Sequence, residues 1–203
     1  MHKETLNEDQ VKLLPLIQSF SDDFGLAGGT AVALQIGHRR SIDYDLFTNK
    51  NFNHDGVRNK VRQLYQIQST LVEDSEELTI LVSNMKVTFL TYQFEIDYSE
   101  TFENIIKLPN LITLSAMKAF ALGKRAKWKD YVDLFFILKD HKLSDITTRA
   151  REIFGHEFNE KLFREQLSYY QDIDYSETID YLENKYVSDE EIKSFLSDIS
   201  IQE

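Results

Sequence analysis

Apolar residues recur near the N-terminus at Val11, Leu14, Ile17 and Phe20, and these steps predict a helix within residues 7–23. Pro15 falls inside it and must begin a new turn or kink the axis, because it has no amide hydrogen. Phe24 to Ala27 form a short apolar run into a glycine turn, the pattern of a first strand. Residues 30–37 are apolar all round, which predicts a small buried helix. Asp55 is placed to cap a helix over 56–66, with Val57, Val61 and Leu64 on one face. Three strand-like segments follow at 68–73, 78–83 and 85–94, with Ser83-Asn84 as the tight turn before the last.

Near residues 108–113 the pattern becomes almost wholly helical. Thr113 or Ser115 is placed to cap a helix whose core is Met117 to Trp128, and the run Trp128 to Leu138 continues as a second helix. Amphipathic patterns at 143–154, 158–169, 176–185 and 188–199 predict further helices, the last capped by Ser188 or Asp189. The expected fold class is α+β: a mixed β-sheet with flanking helices over 1–112, then a helical region over 113–203 packed on it as one compact unit. No repeat or low-complexity linker separates the two parts.

Composition narrows the chemistry. With 42% apolar and 12% aromatic residues among 203, the chain can bury a sizeable core. The absence of cysteine excludes a disulfide framework, a thiolate zinc site and a thiol nucleophile. The polar N-terminus lacks a signal-peptide pattern, and no stretch approaches the roughly 18 apolar residues of a membrane span. A cytoplasmic protein without a membrane partner is expected. The net charge of −11 argues against a broad nucleic-acid-coating surface, so no DNA partner is expected, but it leaves room for a local basic groove.

Two stretches carry the candidate chemistry. In the first, Gly28-Gly29-Thr30 opens the short helix, and a basic turn leads to a strand bearing Asp43 and Asp45. Side chains two apart on a strand share a face, so the two carboxylates repel unless a cation lies between them, and hard oxygen ligands suit Mg²⁺. Free amides at the helix start suit a phosphate. Taken alone, a Gly-Gly is a turn and an Asp-x-Asp a solvated face. Together, beside Tyr44 and Leu46-Phe47, they place two acids in a buried-looking strand, which costs free energy unless something binds them.

In the second stretch, Lys118, Lys124, Arg125, Lys127 and Lys129 put five basic residues within twelve positions, followed by Asp130 and Asp133. Lys118 and Arg125 are seven apart, two turns of a helix, so both cations share a face. Such groups clamp a triphosphate, steer an RNA backbone, or merely complement a helix dipole.

A Gly-Gly-Thr helix followed after 12 residues by Asp-x-Asp resembles the signature of the DNA polymerase β-like nucleotidyltransferase superfamily. The fuller string, from Gly28-Gly29-Thr30-Ala31 through Gly37-His38-Arg39-Arg40-Ser41 to Asp43-Tyr44-Asp45-Leu46-Phe47, resembles its AbiEii/AbiGii-type toxin branch. Lys118, Arg125, Lys129, Asp130, Asp133 and Leu134 match the second motif of that branch. The resemblance implies an enzyme that transfers an NMP from an NTP to a hydroxyl of RNA, such as a tRNA 3′ end, or of protein, with Mg²⁺ as cofactor and a cognate antitoxin as partner. It implies that Asp43 and Asp45 hold the metal and that Lys118 and Asp130 join them as catalytic residues, Lys118 through nucleotide phosphates. Gly28, Gly29, Thr30, Arg39, Ser41, Arg125 and Lys129 form the implied nucleotide-binding set. Arg39 and Ser41 either donate to phosphate or hold the aspartate strand. His38 orients its loop or packs on the sheet. Asp133 is catalytic or structural, in the latter case capping or pairing with Lys129 or Arg125.

The sequence departs from the superfamily at a third carboxylate, expected on a neighbouring strand. Its counterparts here are Thr88 or Lys86, and Glu73, Glu95 and Asp97 are substitutes that no pattern selects. That departure supports a second reading, a nucleotide- or protein-binding module without turnover. Tyr169, Tyr170, Tyr175 and Tyr181 are read as packing residues rather than a base-stacking platform.

Overall fold

In the computed structural model, which describes residues 1–202, helix α1 spans Glu8–Ser19. It begins in a capping box: Asn7 Oδ1 accepts from the Gln10 amide at 2.8 Å, and Gln10 Oε1 from the Asn7 amide at 3.0 Å. Its inward face is Gln10, Leu13, Leu14, Leu16 and Ile17, whereas Val11 is 40% exposed. A strict three-residue step drifts off the 3.6-residue turn, which explains why Val11 was misplaced. The helix runs through Pro15, which lies on its exposed side.

Five strands form one sheet: β1 (Gly25–Ala27), β2 (Tyr44–Thr48), β3 (Ile67–Glu73), β4 (Glu77–Val82) and β5 (Met85–Thr91), in the order β1-β2-β5-β4-β3. β2 and β5 are parallel and the other neighbours antiparallel. Ser83 and Asn84 both take the left-handed conformation, with φ of 50° and 61°, and make the tight β4–β5 turn that their residue types predict. Tyr44, Leu46, Leu78, Ile80, Val87 and Phe89 line one buried face. Phe20 and Phe24, just beyond α1, pack on Phe89 at ring distances of 4.8 and 5.4 Å. The alternate residues Asp45, Thr88 and Thr79 therefore project to the opposite face.

Short α2 (Gly28–Ile36) follows β1 directly, and α3 (His54–Arg62) follows β2. Asn53, not Asp55, caps α3, with its Oδ1 accepting from the Gly56 amide at 2.7 Å; the helix stops before Leu64, which is 52% exposed. A hairpin that periodicity did not predict, β6 (Glu100–Phe102) with β7 (Ile106–Leu108), precedes α4 (Leu111–Leu122). Three-residue strands are too short to show an alternating pattern. Asn110, rather than Thr113 or Ser115, caps α4.

The second half is helical: α4, α5 (Trp128–Leu138), α6 (Leu143–Phe154), α7 (Glu160–Ser168) and α8 (Asp189–Ser200), the last capped by Ser188. Phe120 and Phe154 stack at 4.1 Å between α4 and α6, and one buried core runs from Leu6 to Leu196. The predicted helix at 176–185 does not form. Residues 169–188 instead make a strap whose backbone groups pair with other segments: Asp174 with Ala126 and Trp128, Asp180 with Arg40, and Leu182 with His38. Those bonds replace the intrahelical ladder, so the local pattern was overruled by distant partners. Among the described residues no helix is long and apolar enough to cross a membrane.

Candidate active site

The site begins where β1 ends. Ala27 lies opposite Asp45 in register, and the chain then turns into α2 at Gly28, whose φ of 67° favours glycine. A β-carbon on Gly28 would overlap the Asp45 carboxylate, and one on Gly29 would come within 2.8 Å of Arg39 Nη2 and 3.0 Å of Ser41 Oγ. The helix start is thus packed against three of the predicted site residues. No side chain caps α2, so its first amides keep their hydrogens for an incoming acceptor. Thr30 points inward: its buried hydroxyl donates to the Asp43 carbonyl and pins the start of β2.

Asp45 lies in β2, and Asp43 falls two positions earlier, just before the strand begins at Tyr44. Asp43 Oδ2 is 3.1 Å from Lys86 Nζ. Burial, and then the neighbouring Asp43 charge, push the Asp45 carboxyl above its ordinary value, against the pull of Lys129, Arg125 and Lys118. Thr88 stands opposite Asp45 on β5, so the neighbouring strand offers no third acid at that level. The three substitutes are elsewhere. Glu73 is bound to Arg58 at 2.6 Å on the outermost strand, and Glu95 and Asp97 are exposed in the loop after β5. Among the described residues no three metal-ligating side chains converge. The donors present, two neighbouring carboxylates at the start of β2 with a repulsion to relieve, fit a single hard divalent cation.

Behind this pair lies a buried ion network. On α5, Asp130 and Asp133 are one turn apart and both fully buried. Asp133 takes a two-pronged contact from Arg39, Nε to Oδ1 at 2.6 Å and Nη2 to Oδ2 at 2.9 Å, and its Oδ2 is 2.6 Å from Lys118 Nζ. Asp130 receives Lys118 Nζ on Oδ1 at 2.8 Å and Arg125 Nε on Oδ2 at 3.2 Å. Burial opposes ionisation of both acids, but Arg39 and Lys118 hold Asp133 well below the carboxylate range, and Lys118 and Arg125 lower Asp130. Lys118 is likewise disfavoured by burial, yet Asp130 and Asp133 keep it protonated. Asp133 therefore neither caps a helix nor pairs with Lys129 or Arg125. Its partners come from the turn after α2, and local spacing cannot show which distant cations a helix face will meet. Nor do Lys118 and Arg125 share a helix: α4 ends at Leu122, and Arg125 reaches Asp130 from the following loop.

His38 is fully buried with Nε2 2.7 Å from Asp133 Oδ1. Against an ionised carboxylate Nε2 carries the proton and donates, which leaves Nδ1 as a bare nitrogen without a hydrogen-bond partner. Burial keeps this imidazole below its ordinary pKa despite Asp133. It fixes the basic turn rather than facing a substrate.

One further residue escaped the sequence reading. Glu177, in the strap, lies 2.6 Å from Lys127 Nζ and 2.5 Å from Lys129 Nζ. Partial burial works against its ionisation, but the hydrogen bonds and charges of the two lysines outweigh that and hold it at about 2. A cavity of about 250 Å³ opens between strap and basic turn, lined by Arg39, Ser41, Asp43, Lys129, Glu177 and Asp180. No local pattern marks Glu177; only the fold of the strap brings it there.

Comparison with known proteins bears on the fold and the family. A curated relative, aq_aa25 of Aquifex aeolicus, is 30% identical over 142 residues, 67% of this chain and 68% of its own length. Among solved structures, the nucleotidyltransferase toxin MenT4 (Rv2826c) of Mycobacterium tuberculosis aligns with a TM-score of 0.61 at 14% identity, over 95% of this chain and 82% of its own. JHP933 of Helicobacter pylori aligns with a TM-score of 0.58 at 16% identity, over 98% and 90%. At such identities the likeness is one of fold. The family model described as nucleotidyl transferase AbiEii toxin, type IV toxin–antitoxin system, matches residues 16–201, and the chain belongs to that family.

Proposed function

We propose that the protein transfers a nucleoside monophosphate from an NTP to a hydroxyl group of RNA, with a tRNA 3′ end as the leading candidate, or of a protein. The observation that supports this most is Asp45 packed directly against the glycine-opened start of α2, with a second carboxylate, Asp43, two positions before it at the entry to the strand. The first amides of α2 and the side chains of Arg39 and Ser41 bind phosphate oxygens. Arg125, whose side chain is half exposed, and Lys129 extend the cationic wall, while Asp130 and Asp133 hold Lys118 and Arg39 charged and in place. Asp43 and Asp45 would hold Mg²⁺, which would supply Lewis-acid neutralisation of phosphate charge. Pre-positioned cations around the pocket then favour the charge that develops as pyrophosphate departs.

Membership of a type IV toxin–antitoxin family supports a cognate antitoxin as partner. The missing third carboxylate favours one other reading, a nucleotide-binding module without turnover. Incubation with α-labelled NTPs, Mg²⁺ and total RNA separates the two. Label in RNA or protein is the expected result, and its acceptor class names the substrate. NTP binding in a titration with no label transferred would leave the binding module.

A further inference from the structure

On the strand beside Asp45 the residue in register is Thr88, and the residue in register beyond it, on β4, is Thr79. Thr79 Oγ1 donates to Glu77 Oε1 at 2.6 Å and lies 3.0 Å from Thr88 Oγ1. A hydroxyl carries a single proton. Since that of Thr79 goes to Glu77, Thr88 must be the donor in the bond between the two threonines. Thr88 Oγ1 thus directs its proton along the chain toward Glu77 and keeps an acceptor lone pair free. It makes no other hydrogen bond among the described residues. Thr79 is buried and Thr88 half-buried, so the chain can be reached at Thr88, the end beside Asp45.

We propose that Glu77, acting through Thr79 and Thr88, receives the proton of the acceptor hydroxyl, and so replaces the third carboxylate absent from β5. This rests on the nucleotidyl-transfer reading above. As the acceptor oxygen bonds to the α-phosphorus and the bond to pyrophosphate breaks, the acceptor proton passes to Thr88 Oγ1. The Thr88 proton moves to Thr79 Oγ1, and the Thr79 proton to Glu77 Oε1, which ends as a neutral acid. Thr88 touches the acceptor; Thr79 and Glu77 are positioning residues behind it. Asp130 is a poorer base, because Lys118 and Arg125 occupy both its oxygens. Among the described residues, Glu77 has no ion pair to hold its proton off, and its one side-chain partner is Thr79.

The test compares Glu77→Gln, Thr79→Val and Thr88→Val with Thr79→Ser and Thr88→Ser, using labelled NTP and the acceptor found for wild type. General-base assistance is worth about 10²–10⁴ in rate. The expected result is a fall in kcat of about 100-fold for the first three, with KM for NTP within about twofold of wild type. The serine variants keep the hydroxyl chain and stay within about threefold of wild type. Wild-type kcat in Glu77→Gln or in Thr88→Val would overturn the proposal, and so would equal losses in the serine and valine variants. If wild type transfers no label at all, the transferase reading itself fails and takes this inference with it.

Discussion

The carboxylate of Asp45 closes over the α-carbon of Gly28, leaving no space for a β-carbon between them. This contact couples the start of α2 to the aspartate strand, and the left-handed φ of 67° at Gly28 makes the same demand. Gly28→Ala should lose about 1–2 kcal/mol from the backbone conformation alone and displace Asp45 as well. The expected outcome is a lower thermal midpoint and at least about a tenfold loss of transfer at temperatures where the variant is folded. Gly29→Ala should be milder, because Gly29 lacks the left-handed φ and its β-carbon would meet Arg39 Nη2 at 2.8 Å and Ser41 Oγ at 3.0 Å rather than overlap a carboxylate. Thermal unfolding and transfer rates on the two variants check the order.

Asp133 is the counter-ion of two buried cations. Asp133→Asn leaves Arg39 and Lys118 short of negative charge, and breaking such a buried set costs about 3–5 kcal/mol. Urea unfolding should show a loss on that scale. Replacement of the exposed partner Asp180, 3.4 Å from Arg40, should change stability by less than about 1 kcal/mol.

The same network sets an acid dependence with two windows. Burial depresses the folded pKa of His38, so its contribution is present above the unfolded value of about 6.5 and is lost as pH falls below it. The folded pKa of Asp133 is also depressed, so its contribution is present above about 3.9 and is lost as pH falls through the folded value. The urea midpoint should therefore drop as pH falls below about 6.5 and again below about 4. His38→Asn, which keeps a donor toward Asp133 without a titrating ring, should flatten the first drop and leave the second. An unchanged first drop in that variant would contradict the assignment.

Glu177 neutralises Lys127 and Lys129 at the edge of the cavity that Asp43 also lines. Glu177→Gln should release both cations for phosphate and tighten NTP binding roughly fivefold, in keeping with about 1 kcal/mol for a partly exposed ion pair. Calorimetric titration at low and high salt checks it, since the gain should shrink as salt screens the lysines.

The aspartate strand, the glycine turn and the order of the central elements were readable because each rests on local rules: two-residue alternation, positive φ at glycine and turn chemistry at Ser83-Asn84. Elements decided by distant partners were not. Residues 176–185 carry a helical pattern, but their backbone bonds to the segment His38–Arg40. Asp133 was read from the sequence as catalytic or structural, and its partners Arg39, Lys118 and His38 belong to other segments that spacing does not reveal. The Thr88–Thr79–Glu77 chain was invisible for the same reason: strand register, not sequence spacing, brings it beside Asp45.

Asp43→Asn tests the central claim most directly. It removes one of two carboxylates, and its lost partner, Lys86, is half exposed, so the fold should be retained with a thermal midpoint within a few degrees of wild type. With α-labelled NTP, Mg²⁺ and RNA, the account predicts label transfer by wild type and a loss of at least about 10³-fold in the variant. Transfer by Asp43→Asn at the wild-type rate would contradict it.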